Sequence, residues 1–309
     1  MIDLKEYPHL VNRRVKFFTR SFSLELYRLS KGLYEEVGIP CVRLVDQTAN
    51  GYFLEMLRDT QCDVAINVDE DCFITDLQAL LQLADWAIGE GWVNVGCSDN
   101  SLGCPRGCNS IVTNPFLNIF NLEEIRTRWE GRIPPLDYPS VRTRMEQAFL
   151  AQMNQQKERF GFGREMVRED LRTGLTSSEP YYPFFFWLLD AFPGRTFYLN
   201  NHRHEDQLST CVYDLEGKCI CMHTWFARFY HPSWLTYCFE GSEGHKHTQR
   251  IDAIIDQAYA KRGIQRPQFG PIDQLAFVGN SLMRWTVKVP QRVAGWPRKI
   301  IQKIKKTSK

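Results

Sequence analysis

Short apolar runs alternate with amphipathic stretches along the first hundred residues. The runs 15–19, 41–45, 62–68 and 92–97 have the length and composition of buried strands. Between them apolar residues recur at helical spacing, most clearly over residues 77–88. Strands that alternate with helices are typical of βαβ units in a mostly parallel sheet. The pattern therefore predicts an α/β fold in which helices flank a mostly parallel central sheet.

The remainder of the chain has a weaker pattern. Residues 98–115 are polar and interrupted by glycine and proline, which predicts a loop. Residues 142–160 predict a polar helix with one apolar side, and residues 195–200 predict a further strand. Isoleucines at helical spacing over residues 251–258 predict a helix near the C-terminal end. The α/β pattern thus extends through most of the chain.

Three carboxylates follow the apolar run Cys62–Val68 directly, in the sequence Asp69-Glu70-Asp71. Carboxylates at the end of a buried strand repel one another and are costly to desolvate, so a positive partner is expected. Oxygen ligands at this density suit a hard cation such as Mn²⁺ or Mg²⁺. The alternative is a solvated acidic loop of the kind that follows many strands.

Charged residues also stand at the ends of the two preceding strands. Arg20 ends the first strand and Asp46 follows the second. Ligands of parallel sheets bind beyond the carboxyl ends of the strands. Arg20, Asp46 and the stretch Asp69–Asp71 are therefore expected to share one site.

The stretch Tyr181–Trp187 is rich in aromatic residues. Their density favours packing in the hydrophobic core. A second interpretation is an aromatic platform for a sugar ring or a lipid-linked acceptor, because ring faces offer apolar contact.

The composition is that of an ordinary globular protein of 309 residues, with 43% hydrophobic residues and a net charge of +2. This charge gives no argument for nucleic-acid binding, and the N-terminal segment lacks the apolar stretch of a secretory signal. A cytoplasmic protein with reduced cysteines is therefore expected. Among the ten cysteines, Cys104, Cys108, Cys219 and Cys221 leave open a zinc-stabilised, non-enzymatic interaction protein.

The C-terminal segment has a different composition. From Arg284 onward it carries nine basic residues and no acidic residue, with apolar residues such as Trp296 between them. Such a segment is attracted to anionic lipid, which predicts peripheral attachment to the inner face of a membrane. The alternative is a solvated, disordered end.

The order of these features resembles the GT-A glycosyltransferases, and among them family 8-like enzymes. The resemblance is carried by the D-x-D sequence Asp69–Asp71, the segment Asn118–Leu122, the pair Asp206–Gln207 and His223 in an apolar strand. In a second alignment, His204–Asp206 corresponds to the x-E-D motif of inverting GT-A enzymes.

The resemblance implies a GT-A, Rossmann-like domain over residues 1–250 with an insertion around 142–190. A helical, basic extension follows over residues 251–309. The implied activity moves a sugar from a nucleotide-sugar, expected to be UDP-linked, to a hydroxyl group of a glycan or lipid-linked acceptor.

The resemblance also implies roles for single residues. Asp69, Asp71 and His223 would hold Mn²⁺ or Mg²⁺ between the two phosphates of the donor, where the metal stabilises the leaving diphosphate. The residues assigned to the nucleotide-sugar are Arg20, Asp46, Asp69 and Asn118.

The acceptor hydroxyl must lose its proton during transfer, and in an inverting enzyme a carboxylate removes it. Asp206 is the first choice for this base and Glu205 the second. In a retaining enzyme Asp206 would instead orient a substrate. A nucleotidyltransferase is the alternative enzyme class, but it would normally carry a glycine-rich phosphate loop, and residues 1–28 contain none.

Overall fold

The computed structural model describes residues 3–45, 51–105, 109–134, 138–168, 179–230 and 243–280. Asp46, Cys108 and the basic segment 284–309 lie outside these ranges, so the predictions that concern them remain predictions. The described strands, in chain order, are β1 (Val15–Ser21), β2 (Cys41–Val45), β3 (Val64–Val68), β4 (Cys72–Ile74), β5 (Asn94–Ser98), β6 (Thr113–Asn121), β7 (Thr196–Tyr198), β8 (Asn201–Arg203), β9 (Thr210–Tyr213) and β10 (Cys219–His223). The described helices are α1 (Leu24–Lys31), α2 (Gly51–Arg58), α3 (Leu77–Gly89), α4 (Leu122–Arg126), α5 (Tyr138–Phe160), α6 (Tyr182–Ala191), α7 (Glu243–Arg262) and α8 (271–280).

A six-stranded sheet with the order β2-β1-β3-β6-β5-β7 forms the centre of the fold. Strand β1 pairs in parallel with β2 and β3, and β5 pairs in parallel with β7. Strand β6 runs antiparallel to both of its neighbours, β3 and β5. The sheet is therefore mostly parallel, as the sequence predicts.

Helices cover both faces of this sheet. Neighbouring residues of a strand point to opposite faces, and Phe17 and Phe18 of β1 accordingly belong to two separate hydrophobic clusters. The cluster around Phe17 includes apolar residues of α1, α3 and α7. The cluster around Phe18 includes residues of α2, α4, α5 and α6. Strands β3, β5 and β6 are buried along their whole length, because both of their faces are covered.

A second, smaller sheet is entirely antiparallel, with the order β4-β10-β9-β8. The sequence does not predict this sheet, because its strands are only three to five residues long and show little alternation. In the pairing of β10 with β4, His223 lies opposite Cys72. This register brings a distant part of the chain next to the acidic residues that precede β4.

The predicted loop 98–115 ends too late, because β6 already begins at Thr113. The polar residues at the start of β6 resemble a loop in sequence, but their groups are satisfied inside the protein. The hydroxyl oxygen of Thr113 accepts hydrogen bonds from the side-chain amides of Asn94, at 3.0 Å, and Asn118, at 2.9 Å. Hydrogen bonds to residues elsewhere in the chain therefore stabilise a strand at positions whose residue types favour a loop.

Helix α7 crosses residue 250, and its residues Ile251, Ile254 and Ile255 are buried against the sheet cluster that contains Phe17. The domain boundary at residue 250 and the insertion around 142–190 remain predictions. In the part of the chain that the structure describes, the helices are too short or too polar to cross a membrane.

Gly96 of β5 offers a test of this sheet, because it faces Asn118 of β6. A Cβ atom at Gly96 would lie 2.3 Å from the Asn118 side-chain nitrogen and 2.9 Å from the backbone oxygen of Leu117. We expect Gly96→Ala to lower the free energy of unfolding by about 1–3 kcal/mol, measured by denaturant titration.

The matched control is Gly279→Ala in α8, where an added Cβ meets no atom within 4 Å. Alanine is the better helix former, so this variant should be as stable as the wild type or more stable. Equal stability of Gly96→Ala and the wild type would contradict the close approach of β5 and β6.

Candidate active site

A cleft of about 300 Å³ lies where β1 and β3 end. Its lining includes Arg20 at the end of β1, the acidic stretch Asp69–Asp71 after β3, and His223 at the end of β10. The structure thus brings together four of the residues predicted for one site, Arg20, Asp69, Asp71 and His223. The other lining residues are Phe22, Asn114, Pro115, Glu179, Tyr181, Trp225, Phe226, Ala227 and Arg228.

The stretch Asp69–Asp71 forms a tight turn between β3 and β4. The backbone N–H of Cys72 donates to the carbonyl of Asp69 at 3.0 Å, and the N–H of Asp69 donates to Phe116 of β6 at 2.9 Å. Asp69 and Asp71 are only 6% and 8% exposed. Because buried strands hold both ends of the turn, these carboxylates remain near the protein interior.

Asp69 is paired with Arg20, whose guanidinium nitrogen lies 2.9 Å from one carboxylate oxygen. Burial raises the pKa of Asp69 to about 6, although Arg20 opposes this shift; the charge of Asp71 adds to it. Oxygen Oδ1 of Asp69 is buried and has no hydrogen-bond partner among the described residues. An oxygen of this kind has capacity for a ligand.

Asp71 is paired with His223, with 3.2 Å between carboxylate Oδ1 and ring Nε2. Burial alone would raise the pKa of Asp71, but His223 outweighs burial and lowers it. The His223 ring stacks on Phe116 at 4.2 Å, and its other nitrogen, Nδ1, is buried without a described partner. The N–H of Thr224 donates to the carbonyl of Asp71 at 2.9 Å, which fixes the two chain segments to each other.

Glu70, the middle residue of the acidic turn, holds the beginning of α1. Its carboxylate accepts hydrogen bonds from the Ser21 hydroxyl at 2.9 Å and from the N–H groups of Phe22 at 2.8 Å and Ser23 at 2.6 Å. Ser23 is the N-cap of α1. We therefore assign Glu70 a structural role, which the sequence alone could not distinguish from ligand binding.

No three His, Cys, Asp or Glu side chains in the described ranges form a complete group for a metal ion. Mg²⁺ and similar hard cations are often held by one or two carboxylates together with substrate phosphates, so a complete protein cage is not required. The unpartnered Asp69 Oδ1 and His223 Nδ1 fit such a partial ligand set.

The cysteines give no described support for the zinc alternative. Cys108 lies outside the described residues. Cys104 is buried and accepts a hydrogen bond from the Ser101 hydroxyl at 3.0 Å, while Cys219 donates to the backbone of Cys221. Both thiols therefore form hydrogen bonds with residues close to them in sequence.

Asp206 and Glu205 lie between β8 and β9 and do not line the cleft. The Asp206 carboxylate accepts from the Ser209 hydroxyl at 2.6 Å, the Ser209 N–H at 2.7 Å and Arg250 at 3.1 Å. Burial would raise its pKa, but the hydrogen bonds from Ser209, Leu208 and Arg250 outweigh burial and lower it to about 2. A carboxylate held in this way stabilises a turn and is a weak base.

Asn118 also lies away from the cleft. It is completely buried in β6, and its side-chain amide donates to Thr113 at 2.9 Å and Asn94 at 3.3 Å. The Asn118 side chain therefore links β6 to β5 inside the sheet.

Aromatic residues on two segments complete the cleft. Tyr181 lines it from the aromatic stretch, whereas Tyr182 and residues 184–187 are buried in α6 and confirm the prediction of core packing. Trp225 and Phe226 have φ angles of +58° and +61°, which is uncommon for bulky residues and is found at functional sites. The sequence does not predict which way these two rings face, because backbone conformation decides their orientation.

Comparisons with known proteins give no family: no family model and no curated protein matches the chain. Solved structures show distant likenesses. A197 from STIV has 15% identity and a TM-score of 0.34, covering 67% of this chain and 93% of that chain. The glycosyltransferase GlyE of Streptococcus pneumoniae TIGR4 has 12% identity and a TM-score of 0.29, covering 61% and 46%. The mannosyltransferase PcManGT from Pyrobaculum calidifontis, solved with GDP-Man and Mn²⁺, has 9% identity and a TM-score of 0.32, covering 89% and 81%. At these scores the likenesses carry no argument about function.

The structural role of Asp206 leads to a prediction about stability. We expect Asp206→Asn to lower the melting temperature by a few degrees at pH 7, because the charged acceptor of several hydrogen bonds is lost. The folded-state pKa of about 2 is below the ordinary value of about 3.9, so the charge stabilises the protein above pH 4. The difference between wild type and variant should therefore shrink as the pH falls from 4 towards 2.

The control is the exposed neighbour Glu205, for which Glu205→Gln should melt like the wild type at each pH. Unchanged melting of Asp206→Asn at pH 7 would contradict the structural role of Asp206.

Proposed function

We propose that the protein is a glycosyltransferase that moves a sugar from a nucleotide-sugar, expected to be UDP-linked, to a hydroxyl group of a glycan or lipid-linked acceptor. One observation supports this proposal most directly. Asp69 and Asp71 are buried in the same cleft as Arg20 and His223, and Asp69 Oδ1 and His223 Nδ1 have no described partner. Carboxylates, a histidine and an arginine at strand ends are suited to a diphosphate bound with a divalent cation.

In this proposal Asp69, Asp71 and His223 hold Mn²⁺ or Mg²⁺ together with the donor phosphates. The cation, when bound, supplies Lewis-acid stabilisation of the leaving nucleoside diphosphate. The contact between Asp71 and His223 involves ring Nε2, whereas ring Nδ1 has no described partner. Together with Asp69 these residues would supply only part of a ligand set, which the donor phosphates would complete.

Two arginines of the cleft are proposed to contact the donor. Arg20 is fixed by Asp69 and by the Tyr52 ring, which lies 5.3 Å from its guanidinium carbon. Burial would lower the pKa of Arg20, but the nearby carboxylates, Asp69 first, outweigh burial and raise it, so it remains a cation. Arg228 lies over the rings of Phe226 and Phe229, at 6.0 and 5.5 Å, and is exposed. We propose that Arg228 binds the diphosphate from the open side of the cleft.

The acceptor is proposed to enter along the aromatic residues of the cleft, Tyr181, Trp225 and Phe226. Ring faces suit the apolar face of a sugar. Attachment of the basic segment 284–309 to an anionic membrane surface remains part of the proposal, because it would place the enzyme near a lipid-linked acceptor.

The donor site is tested by the thermal shift of the protein with UDP, GDP or CMP, each with and without Mn²⁺. A nucleotide at 100 times its dissociation constant should stabilise the protein by about 2.7 kcal/mol, which raises the melting temperature by a few degrees. We expect this shift to need both nucleotide and metal, because the protein ligands are incomplete, and to be lost in Asp71→Asn.

Glu216→Gln is the control for this experiment, since Glu216 is exposed on the turn between β9 and β10 and lies outside the cleft. It should keep the full shift. A nucleotide shift that needs no metal and survives in Asp71→Asn would overturn the metal assignment.

The basic segment is tested by removing the residues after Pro290 and measuring co-sedimentation with vesicles. Seven basic residues are lost by this truncation, each contributing about 1 kcal/mol near an anionic surface. Binding to phosphatidylserine-containing vesicles should fall, most clearly at low salt, while neutral vesicles serve as the control. Equal binding by both forms of the protein would contradict membrane attachment.

A further inference from the structure

Helix α8 (271–280) presents large apolar side chains to solvent. Ile272 is 83% exposed and Leu275 is 71% exposed, and the next most exposed large apolar residue of the described ranges is Leu102, at 51%. Ile272 and Leu275 are three positions apart and therefore share one face of the helix. The exposed residues of α8 carry no charge: Pro271, Ile272, Gln274, Leu275 and Ala276. The surface face of a helix is normally charged and polar, so this outward face has the character of a binding surface.

The opposite face of α8 is fixed to α1. Asp273, the charged residue of α8, pairs with Arg28 of α1, whose guanidinium carbon lies 5.2 Å from the centre of the Phe277 ring. Phe277 is itself buried. The side-chain oxygen of Asn280 accepts a hydrogen bond from the N–H of Leu24 at 3.1 Å. The charge of α8 therefore points towards the protein, and these contacts hold its apolar face outward.

The C-terminal end of α8 lies close to the cleft. Asn280 contacts Leu24, the first residue of α1, and Phe22, two residues earlier, lines the cleft. The N–H groups of Phe22 and Ser23 donate to the carboxylate of Glu70, which also lines the cleft. Helix α8 is thus joined to the cleft through the start of α1, so a surface bound to α8 has a fixed position relative to the cleft.

The sequence that follows α8 indicates the partner of this face. Arg284, four positions after the helix, begins the segment with nine basic residues and no acidic residue. Basic residues are attracted to anionic lipid, and apolar side chains enter the boundary between lipid headgroups and acyl chains. A second copy of the chain would bring a like-charged segment to the same place, which opposes self-association. An anionic lipid surface therefore fits both the apolar face and the charge beside it.

We propose that Ile272 and Leu275 insert into an anionic lipid surface and hold the cleft beside the membrane. This inference deepens the membrane attachment of the proposed function and rests on that part of it alone. The basic segment supplies an attraction that salt screens, whereas the two apolar side chains supply contacts that salt does not screen. A lipid-linked acceptor would then approach the cleft from the surface to which α8 is bound.

The surface is tested in the full chain by the double variant Ile272→Gln, Leu275→Gln. Both side chains are exposed, so this variant should melt like the wild type. Its dissociation constant for vesicles of phosphatidylserine and phosphatidylcholine should rise at least about tenfold, because two large apolar side chains no longer leave water. Added salt should weaken the wild type and the variant by the same factor, since both keep the basic segment. The matched control Leu102→Gln, at an exposed apolar position away from α8, should bind like the wild type.

A photocrosslinking residue identifies the partner directly. With p-benzoylphenylalanine in place of Leu275, irradiation with the same vesicles should attach a lipid, which is seen as an increase of the intact mass by one lipid molecule. The same residue in place of Leu102 should attach none. This readout decides the matter even if the double variant melts early.

Contrary results are distinct from a failure of the donor site. Equal vesicle binding by the double variant and the wild type, or no lipid attached at position 275, would overturn the α8 surface. A crosslinked dimer of the chain in place of the lipid adduct would overturn it in favour of an interface between copies. The thermal shift with nucleotide and Mn²⁺ should be unchanged in the double variant. A wild type that binds vesicles through α8 but shows no such shift would overturn the transferase and leave the lipid surface standing.

Discussion

Two carboxylates at the end of a completely buried strand impose a desolvation cost that the surrounding structure must offset. Asp69 and Asp71 are nearly inaccessible, and each has one cationic or titratable partner, Arg20 and His223. The pKa of Asp69 is nevertheless raised to about 6, mainly by burial. Replacing buried ion pairs with apolar residues is often neutral or stabilising, so such pairs are weak evidence of a purely stabilising role. Buried charges and unpartnered buried atoms are compatible with the proposed site for a cation and an anionic ligand.

The small antiparallel sheet makes this arrangement possible. It places β10 beside β4, so that His223 lies opposite Cys72 and the backbone of Thr224 is bonded to Asp71. The same sheet places the aromatic residues after His223 along the cleft. A change that shifted the register of β10 by one residue would turn His223 away from Asp71, because successive side chains point to opposite faces. The cleft therefore depends on one short strand pairing between distant parts of the chain.

Much of the central sheet could be predicted from sequence, because β1, β2 and β3 are compact apolar runs with polar residues at their ends. The contact between Arg20 and the acidic turn could also be predicted, because ligand sites of parallel sheets lie beyond the carboxyl ends of the strands. The small sheet could not be predicted, since strands of three to five residues carry too little pattern.

The Asp206–Gln207 pair shows a different limit of prediction from sequence. Its motif-like sequence predicts catalysis, a prediction that stays untested, and it gives no sign of partners distant in sequence, such as Arg250, that bind Asp206. Sequence patterns report local chemistry, whereas the role of a carboxylate depends on which groups the fold places around it.

Asp71 and His223 are proposed to bind a divalent cation together with a nucleoside diphosphate. The most direct measurement is anomalous X-ray diffraction from crystals grown with MnCl₂, with and without UDP or GDP. We expect a manganese peak within bonding distance of the Asp71 carboxylate, the His223 ring and phosphate oxygens, and this peak should be weak or missing without nucleotide. A nucleotide bound in the cleft with no manganese beside Asp71, or a manganese peak held by other residues, would contradict it.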